Sequence, residues 1–565
     1  MSQPPQGPVN PPGPNPFDPA AGGPPQGNWS SGHPSQPGAW HPQGNPNQPP
    51  QGDWQPQGGP GPDATQAYPQ GQPPFGVASA PPPGPAAGSG AGKKTGLSTA
   101  AKALIAGGVA LAVVGGGTAV VVADPLGLRS GGEDWVEQVP ASATMIAGLN
   151  LDPGAGQQLE LMRFALKFPS VRDNFSLTEG SDPREAAFDA LVEDKQCNMT
   201  FAEDIDPWFG KQVGMFVPAS TQGESVLVLA ADKEEPARAA VTKLDECGAL
   251  SAESMAFNDG FLLVGSGPGL AEAALAEADT TSMVDRAEFK EDMAQLDASG
   301  IAMMWADGQA LQDLNAGSLG TASDAFAAQQ ARSMAGALRF AGGNPEVVLV
   351  SKANQALPQG APTQMGELPG DTAAALGLGG GKSYVPLIQD ALDSQGIDLS
   401  SGTGLRMPQD LETILGDDFV VAAERFDPSA VTDPTQVPVG LRIKTDTEAL
   451  RSLQFRLNTV GLPISHLDEN GTNYLSLSPA YADKLKAPTS KLADQPGFKA
   501  AVAEPQQAQT AMYVNIATFA DILEQQLDPG SEFTAEDIRA LEAFGMSSWG
   551  EENDYQRGIA RLTAK

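Results

Sequence analysis

The sequence predicts an α+β protein with two similar tandem units and largely antiparallel sheets, preceded by one transmembrane helix and a disordered N-terminal tail. Three observations lead to this prediction. Proline and glycine fill 44 of the first 92 positions. An uncharged apolar run follows this tail. The rest of the chain then shows the same succession of strand, turn and helix patterns twice. The predicted segments are a tail at 1–102, a membrane helix at 103–123, a linker at 124–134, a first α+β unit at 135–353, a linker at 354–367 and a second α+β unit at 368–565.

The tail has the composition of a chain that does not fold. It contains no Lys or Arg before Lys93 and no apolar run, so it cannot bury enough surface to offset its conformational entropy. Two interpretations stay open. It is either a low-complexity spacer or a cytoplasmic docking segment for a partner, with spaced aromatic residues as contact points. Those aromatic residues are Trp29, Trp40, Trp54, Tyr68 and Phe75.

The run from Ala103 to Ala123 is predicted to cross a membrane. Its 21 residues carry no charge, and as a helix they would span about 30 Å, the thickness of one hydrocarbon core. Lys93, Lys94 and Lys102 precede it, whereas acidic residues follow. The positive-inside rule therefore predicts a single-pass cell-membrane protein with the tail in the cytoplasm and the C-terminal region extracytoplasmic.

Three small residues on one face of this predicted helix suggest a homodimer contact. Gly108, Ala112 and Gly116 recur at the four-residue spacing that lets two membrane helices approach closely. The alternative is a general bias of the chain toward alanine and glycine.

The net charge of −35 excludes general attraction to nucleic acid. Residues 1–102 hold three acids and three lysines, so the whole charge belongs to the residues after them. A strongly acidic outer region stays soluble and repels anionic polymers and lipid surfaces.

The repeat prediction rests on several matches that occur in the same order. Asp259-Gly260 and Asn470-Gly471 each sit between two apolar runs, the pattern of a tight hairpin. Phe289-Lys290 and Phe498-Lys499 occupy matching helical segments. Because hairpin patterns dominate, the sheets are predicted to be antiparallel rather than doubly wound. The helix after the first strand is predicted to bury one face, formed by Leu159, Leu161, Met162, Phe164, Ala165 and Phe168.

The chain resembles a family at this point. The segments VPASATMIAGLNLDPGAGQQLELMRFALKFP, DPREAAFDALVEDKQC and DIDPWFGKQVGMFV look like the actinobacterial single-pass membrane proteins grouped as domain-of-unknown-function family 3352. The resemblance covers most of 135–565 and implies an envelope protein, with no catalytic residue to carry over. In the second unit Ile414 stands where the first has Trp208, so that mark of the family is not kept there.

The sequence predicts no catalytic residue, cofactor or metal. Leu376 to Ser383 nearly forms a phosphate-binding loop, but Leu376 stands where that motif needs glycine. His466 is the one histidine after the membrane segment, too few for a two-histidine zinc site. The acid pairs Asp204/Asp206 and Asp417/Asp418 have the composition of a glycosidase pair, but their positions do not recur between the units. We therefore interpret them as turn and cap residues.

Cys197 and Cys247 are predicted to form a disulfide, because an outward-facing domain lies in an oxidising compartment. Free thiols are the alternative. Their counterparts in the second unit are about Thr403 and Val460, so the bond would belong to one unit.

Three functions follow as hypotheses. The first is a non-catalytic binding or scaffold ectodomain with an unknown envelope ligand or protein partner and a cytoplasmic interaction tail. The second is an extracytoplasmic hydrolase with carboxylate chemistry, which needs two acids converging in a cleft. The third is transmembrane signalling through helix dimerisation.

Overall fold

Sixteen strands form one antiparallel sheet in the computed structural model of the chain. The structure describes residues 134–174, 182–192, 195–219, 224–296, 300–308, 310, 331–354, 358, 360–394, 405–426, 433–457, 464–525 and 534–565. The predicted tail, membrane helix and Gly108, Ala112 and Gly116 lie outside this range. Among the described residues, no helix combines the length and the apolar character needed to cross a membrane.

The strands fall into two sets of eight along the chain. The first set is β1 Met145–Asn150, β2 Phe209–Val217, β3 Val226–Ala231, β4 Ser254–Asn258, β5 Phe261–Gly265, β6 Ala302–Asp307, β7 Ala331–Ala341 and β8 Asn344–Ala353. The second set is β9 Ala374–Gly379, β10 Asp418–Ala423, β11 Val439–Lys444, β12 Ser465–Glu469, β13 Thr472–Ser476, β14 Thr510–Val514, β15 Leu541–Gly550 and β16 Tyr555–Ala564.

The strand order is the same when read outward from the centre of the sheet in either direction. β8 and β16 pair at the centre, from Glu346 opposite Arg561 to Lys352 opposite Tyr555. One side continues β7-β6-β1-β2-β3-β5-β4 and the other β15-β14-β9-β10-β11-β13-β12. Each strand of the first set therefore occupies the position of the strand eight places later.

The predicted large antiparallel sheet in a mixed helix and strand protein is confirmed, but the expectation of separate sheets is corrected. All strand pairs are antiparallel, and the last strands of the two sets join them into one sheet. The reason is that each set ends in a long strand with an unpaired edge, and pairing these edges satisfies both rows of backbone groups. The segment 354–367 lies between β8 and β9.

Thirteen α-helices are described. The first six are α1 Ala155–Ala165, α2 Pro169–Asn174, α3 Pro183–Val192, α4 Glu234–Glu246, α5 Leu270–Ala278 and α6 Ala287–Leu296. The others are α7 Val385–Ser394, α8 Gln409–Leu415, α9 Thr447–Leu457, α10 Pro479–Lys486, α11 Pro496–Ala501, α12 Ile516–Glu524 and α13 Ala535–Ala540.

The two hairpin turns predicted from sequence have the backbone that such turns need. Asp259 and Gly260 have φ values of 45° and 81°, and Asn470 and Gly471 have 51° and 78°. Asn, Asp and Gly tolerate this left-handed region, so each pair reverses the chain between two strands. They join β4 to β5 and β12 to β13.

One face of the sheet, which we call the Trp135 face, carries the main cores. Trp135, in a short 3₁₀ helix, lies over Gly148 of β1 and Gly214 of β2. A cluster with Ile146, Phe216 and Trp305 fills the first half of this face and includes residues of α5 and α6. A second cluster, with residues of α10 and α11, fills the other half.

Candidate functional site

The face opposite Trp135 is built from every second residue of ten neighbouring strands. Side chains alternate between the two faces of a strand, and directly paired residues share a face. Because Ile146 lies on the Trp135 face, its neighbours Met145 and Ala147 lie on the other, and the strand registers extend this assignment across the sheet.

We call this surface the apolar face. Its strands are β1, β6, β7, β8, β16, β15, β14, β9, β10 and β11. Its large apolar side chains are Met145, Leu149, Met304, Met334, Leu338, Phe340, Val347, Leu349, Leu562, Phe544, Met546, Met512, Val514, Leu376, Leu378, Phe419, Val421, Val439, Leu441 and Ile443.

None of the paired alternate positions is charged in any of the ten strands, although 18% of the chain is Asp, Glu, Lys or Arg. Arg332 and Glu542 lie at bulges in β7 and β15. A solvated sheet face ordinarily alternates with polar residues. An uncharged run across ten strands spans about 45 Å at the usual strand spacing. Exposed apolar patches of such extent mark binding surfaces.

Burial differs sharply between the two faces of the same strands. On the Trp135 face, Ile146, Phe216 and Trp305 are completely buried. On the apolar face most large side chains are only half-buried, and Leu376 is 45% exposed. The described part of the chain therefore covers one face fully and the other incompletely.

Helices cover the two lateral ends of the apolar face. Ala240, Val241 and Leu244 of α4 pack with Leu229 and Leu262 at the β3–β5 end. Leu450 and Leu453 of α9 pack with Ile443 and Leu475 at the β11–β13 end. The strands between these ends contribute the half-buried residues.

Helices α1, α2 and α13 cover the apolar face at a third place, over Phe340 of β7 and Ala564 of β16. Phe164 and Phe168 form a cluster with Phe340 and Ala564, and Ala540 at the end of α13 packs against it. Asp537 of α13 accepts a hydrogen bond of 3.1 Å from the Ser170 amide of α2, which fixes the helices to each other.

The structure corrects the predicted core face of α1. Phe164, Ala165 and Phe168 are buried, but Leu161 and Met162 are only half-buried and Leu159 is 44% exposed. The apolar stripe of α1 is wider than the contact it makes with β7 and β8. Its surplus apolar surface therefore remains accessible beside the apolar face.

Helix α12 adds more accessible apolar surface. It is rich in Ile, Phe and Leu, yet none of its residues is buried, and Leu523 is exposed. It contacts β15 and α13. The partly exposed side chains of α12 therefore add apolar surface beside β15 and α13.

The polar groups of the apolar face collect at one end of its central strands. Ser351 of β8 is opposite Gln556 of β16, and Ser548 of β15 is opposite Thr510 of β14. These four residues form a band of neutral donors and acceptors. At the Phe340 and Leu562 end, the described side chains of these strands are apolar, and a neutral polar group comes from Gln157 of α1, which hydrogen-bonds the Phe340 backbone.

One cation lies at the Leu562 end. Lys167 Nζ donates a 2.8 Å hydrogen bond to the Ala564 carbonyl and lies 5.5 Å from the centre of the Phe164 ring. Burial lowers the pKa of the Lys167 ammonium, and the charge of Glu542 partly offsets this.

Gly558 lies in the middle of the apolar face, where it carries no side chain. A Cβ atom added there would meet nothing closer than 4.0 Å, where its nearest neighbours are Leu349, Ser547 and Ser548. Gly336 on β7 differs, because its added Cβ would lie 2.7 Å from a methyl of Leu349. Four methionines on the flanking strands β6, β7, β14 and β15 provide adaptable side chains: Met304, Met334, Met512 and Met546.

The structure places Cys197 and Cys247 in a disulfide with Cα atoms 5.2 Å apart. Cys247 ends α4, and Cys197 precedes a π-helical turn at Phe201–Ile205. The bond ties this turn to the helix that covers the β3–β5 end of the apolar face. Thr403 and Val460 lie outside the described residues.

His466 is held by two amide side chains. Its Nδ1 lies 2.9 Å from Gln454 Oε1 and its Nε2 lies 2.9 Å from Asn473 Oδ1. The neighbouring Asp468 pairs with Arg451. The ring therefore makes no hydrogen bond to Ser465 or Asp468, the partners that general-base chemistry would require.

In the structure, the two acids of each predicted pair form ion pairs with different cations. Asp204 pairs with Lys243 at 2.5 Å, whereas Asp206 pairs with Arg184 at 2.6 Å. Hydrogen bonds from Lys243 and the Thr200 amide lower the pKa of Asp204. The Thr200 contact makes Asp204 a turn-stabilising residue.

The second pair is divided in the same way. Asp418 is buried and forms a 2.6 Å ion pair with Arg442, whereas Asp417 pairs with Lys382. That second contact also occupies the lysine of the segment resembling a phosphate-binding loop. Ser383 Oγ of the same segment donates to the Gly380 carbonyl at 2.6 Å.

No group of three or more His, Cys, Asp or Glu residues suited to a metal ion occurs among the residues that the structure describes.

The apolar face was missed by reasoning from sequence. Alternation within a single strand such as β8 or β16 does not show what covers each of its faces. The available signal was the lack of charge at alternate positions within each strand, such as Val347, Leu349 and Ser351 in β8.

Comparison with known proteins identifies no relative of assigned function. No family model matches the chain, and no curated protein matches it. One solved structure, crystal form I of TP0453, is similar with a TM-score of 0.21 and 10% identity, covering 40% of this chain and 81% of that chain. A similarity of this size assigns neither fold nor function.

Proposed function

We propose that the chain is a single-pass cell-envelope protein whose extracytoplasmic region is a non-catalytic binding domain. The observation that carries this proposal is the apolar face, an uncharged and half-buried surface across ten strands. Such a surface binds apolar matter, and its own residues contain no nucleophile with an activating base beside it.

The proposed location has two supports. The uncharged segment 103–123 has the length of a membrane helix, and lysines precede it. The Cys197–Cys247 disulfide suits an oxidising compartment outside the cytoplasm. In this arrangement the proline-rich tail is available to a cytoplasmic partner.

We further propose that the outer region arose by duplication of one α+β unit. Matching strand orders support this, as do the two hairpin turns at positive φ. Two isolated bridges also match, Pro140 with Ser282 and Pro369 with Lys491. Membership of domain-of-unknown-function family 3352 stays part of the proposal and is supported by the sequence segments quoted above.

The test compares bound material between matched variants. Full-length protein is purified from membranes and analysed by native mass spectrometry, as wild type, Leu376→Asp and Phe455→Asp. Leu376 lies on the apolar face, whereas Phe455 on α9 is 80% exposed and lies outside it. We expect a bound species in the wild type and in Phe455→Asp, and its loss in Leu376→Asp.

The proposal fails if no species of any class accompanies the wild type. It also fails if Leu376→Asp retains the bound species at the wild-type level, because the apolar face would then not be the binding surface.

A further inference from the structure

We infer that the apolar face binds the acyl chains of a single diacyl lipid molecule, an inference that rests on the proposed binding function. A peptide that binds by adding a strand would need a free backbone edge. The ten strands of the face are each paired on both sides, so no backbone edge is free to add a strand. Hydrocarbon needs no such pairing.

The helices at the borders of the face favour a thin occupant. α4, α9 and α1 pack on the same side of the sheet as the apolar face. Each helix rises about 10 Å from the strands beneath it. A flat bilayer or a broad protein surface resting on these helices would not reach the strands between them, whereas a single hydrocarbon chain would.

Charge disfavours a second copy of the chain and an anionic bilayer as occupants. The residues after 102 carry the whole net charge of −35, so two copies brought face to face would repel each other. The same charge repels an anionic membrane surface. A single lipid molecule contacts only the apolar face, so it brings no second large charged surface against the protein.

The dimensions and polarity of the central strands fit one lipid. From Gln556 to Ala560, short of the cluster that packs on Leu562, β16 extends about 13 Å, close to the roughly 15 Å occupied by acyl chains in one leaflet. Ser351, Gln556, Ser548 and Thr510 lie at one end. Their hydroxyl and amide groups are suited to the ester groups of a lipid, while the chains extend toward the half-buried Val347 and Met546.

Gly558 lies on this path. A Cβ atom placed there would lie at ordinary contact distance, about 4.0 Å, from Leu349, Ser547 and Ser548, and the φ of Gly558 is not in the left-handed region. A large side chain at this position would fill the space between Leu349 and Ser548 that the lipid chain is inferred to occupy.

The test labels the full-length protein in membrane vesicles with a photoactivatable phosphatidylethanolamine, a zwitterionic lipid, one acyl chain of which carries a diazirine and an alkyne. Labelled peptides are mapped by mass spectrometry after irradiation. We expect label on the peptides of β8, β14, β15 and β16. Label on 103–123 serves as the internal standard for probe in the membrane.

Three variants localise the site. Gly558→Trp and Leu376→Asp are expected to reduce labelling of the strand peptides at least tenfold relative to the 103–123 standard. Phe455→Asp is expected to leave it unchanged. Melting temperatures of all variants identify any that fail to fold, and Leu376→Asp alters an already exposed position.

Two results would overturn the inference. The first is strand peptides that remain unlabelled in the wild type, and the second is equal labelling in Leu376→Asp and the wild type. If native mass spectrometry then finds a peptide or second copy bound through Leu376, the lipid is wrong but the binding function stands. If it finds nothing bound, both are wrong.

Discussion

A single buried carboxylate connects the two sets of strands. Asp292 of α6 is 1% exposed and accepts 2.7 Å hydrogen bonds from Trp305 Nε1 on β6 and from the Tyr555 hydroxyl on β16. The Arg286 guanidinium lies 4.5 Å above the Trp305 ring. This buried carboxyl group is tolerated because both of its oxygen atoms accept hydrogen bonds.

This contact predicts a loss of stability at high pH. Burial, and then the hydrogen bond to Asp292, raise the pKa of the Tyr555 hydroxyl above its ordinary value. Above about pH 10 the unfolded chain ionises this tyrosine while the folded chain retains the proton, so the free energy of unfolding falls as pH rises. Urea denaturation between about pH 9 and pH 11 measures the slope.

Tyr555→Phe is the matched variant for this prediction. It removes the ionisable hydroxyl and keeps the ring, so the slope should decrease by up to about 1.4 kcal/mol per pH unit. An unchanged slope would show that Tyr555 does not hold its proton in the fold.

Among the elements, the 3₁₀ helix with Trp135 depends on two glycines. A Cβ atom added at Gly214 would lie 2.1 Å from the Trp135 ring, and one at Gly148 would lie 2.3 Å from it. These strands therefore need glycine where the indole rests on the sheet.

Gly214→Ala is expected to lower the free energy of unfolding by about 1–3 kcal/mol, because the added methyl overpacks a buried aromatic. Urea denaturation followed by tryptophan fluorescence measures the change. Gly156→Ala in α1 is the control, since nothing lies within 4 Å of its added Cβ. That variant should be unchanged or slightly more stable, because alanine favours helix. Equal losses in both would contradict the packing assigned to Trp135.

Sequence reasoning was effective for elements that local chemistry determines. Asp-Gly and Asn-Gly pairs between apolar runs indicated the β4–β5 and β12–β13 hairpins, because their backbone preference acts within a few residues. The burial of α1 was harder to predict. Its apolar spacing does not reveal that Phe164 finds Phe340 as a partner while Leu159 remains exposed.

Sequence patterns also could not predict that the two sets of strands join into one sheet. Pairing of β8 with β16 joins residues about two hundred positions apart, such as Val348 and Ile559. Neither strand carries a local signal that selects this partner over solvent or another edge. The apolar face depends on this union, so it was not predicted either.

At the scale of the whole molecule, an ion cluster fixes the pairing at the centre of the sheet. Glu346 of β8 is fully buried and accepts hydrogen bonds from Arg339 of β7 at 3.1 Å and from Arg561 of β16 at 2.5 Å. Its carboxylate therefore joins three adjacent strands from both sets.

Glu346→Gln is expected to lower the free energy of unfolding by about 3–5 kcal/mol, because two guanidinium groups lose their buried counter-charge. The loss weakens the β8–β16 pairing, so the urea transition should also broaden as the two sets separate before they unfold. Circular dichroism and tryptophan fluorescence together measure this.

Glu448→Gln provides the comparison for an exposed ion pair. Glu448 is 83% exposed and pairs with Arg451, so its replacement should cost at most about 1 kcal/mol. If Glu346→Gln behaved like Glu448→Gln, the central cluster would not hold the sheet together.

The β8–β16 pairing also has a consequence for biosynthesis. β8 is complete about two hundred residues before β16 is made, so its outer edge has no partner throughout the synthesis of β9 to β15. An unpaired edge readily adds a strand from another molecule. A nascent chain of this kind benefits from a chaperone that occupies the β8 edge until β16 replaces it.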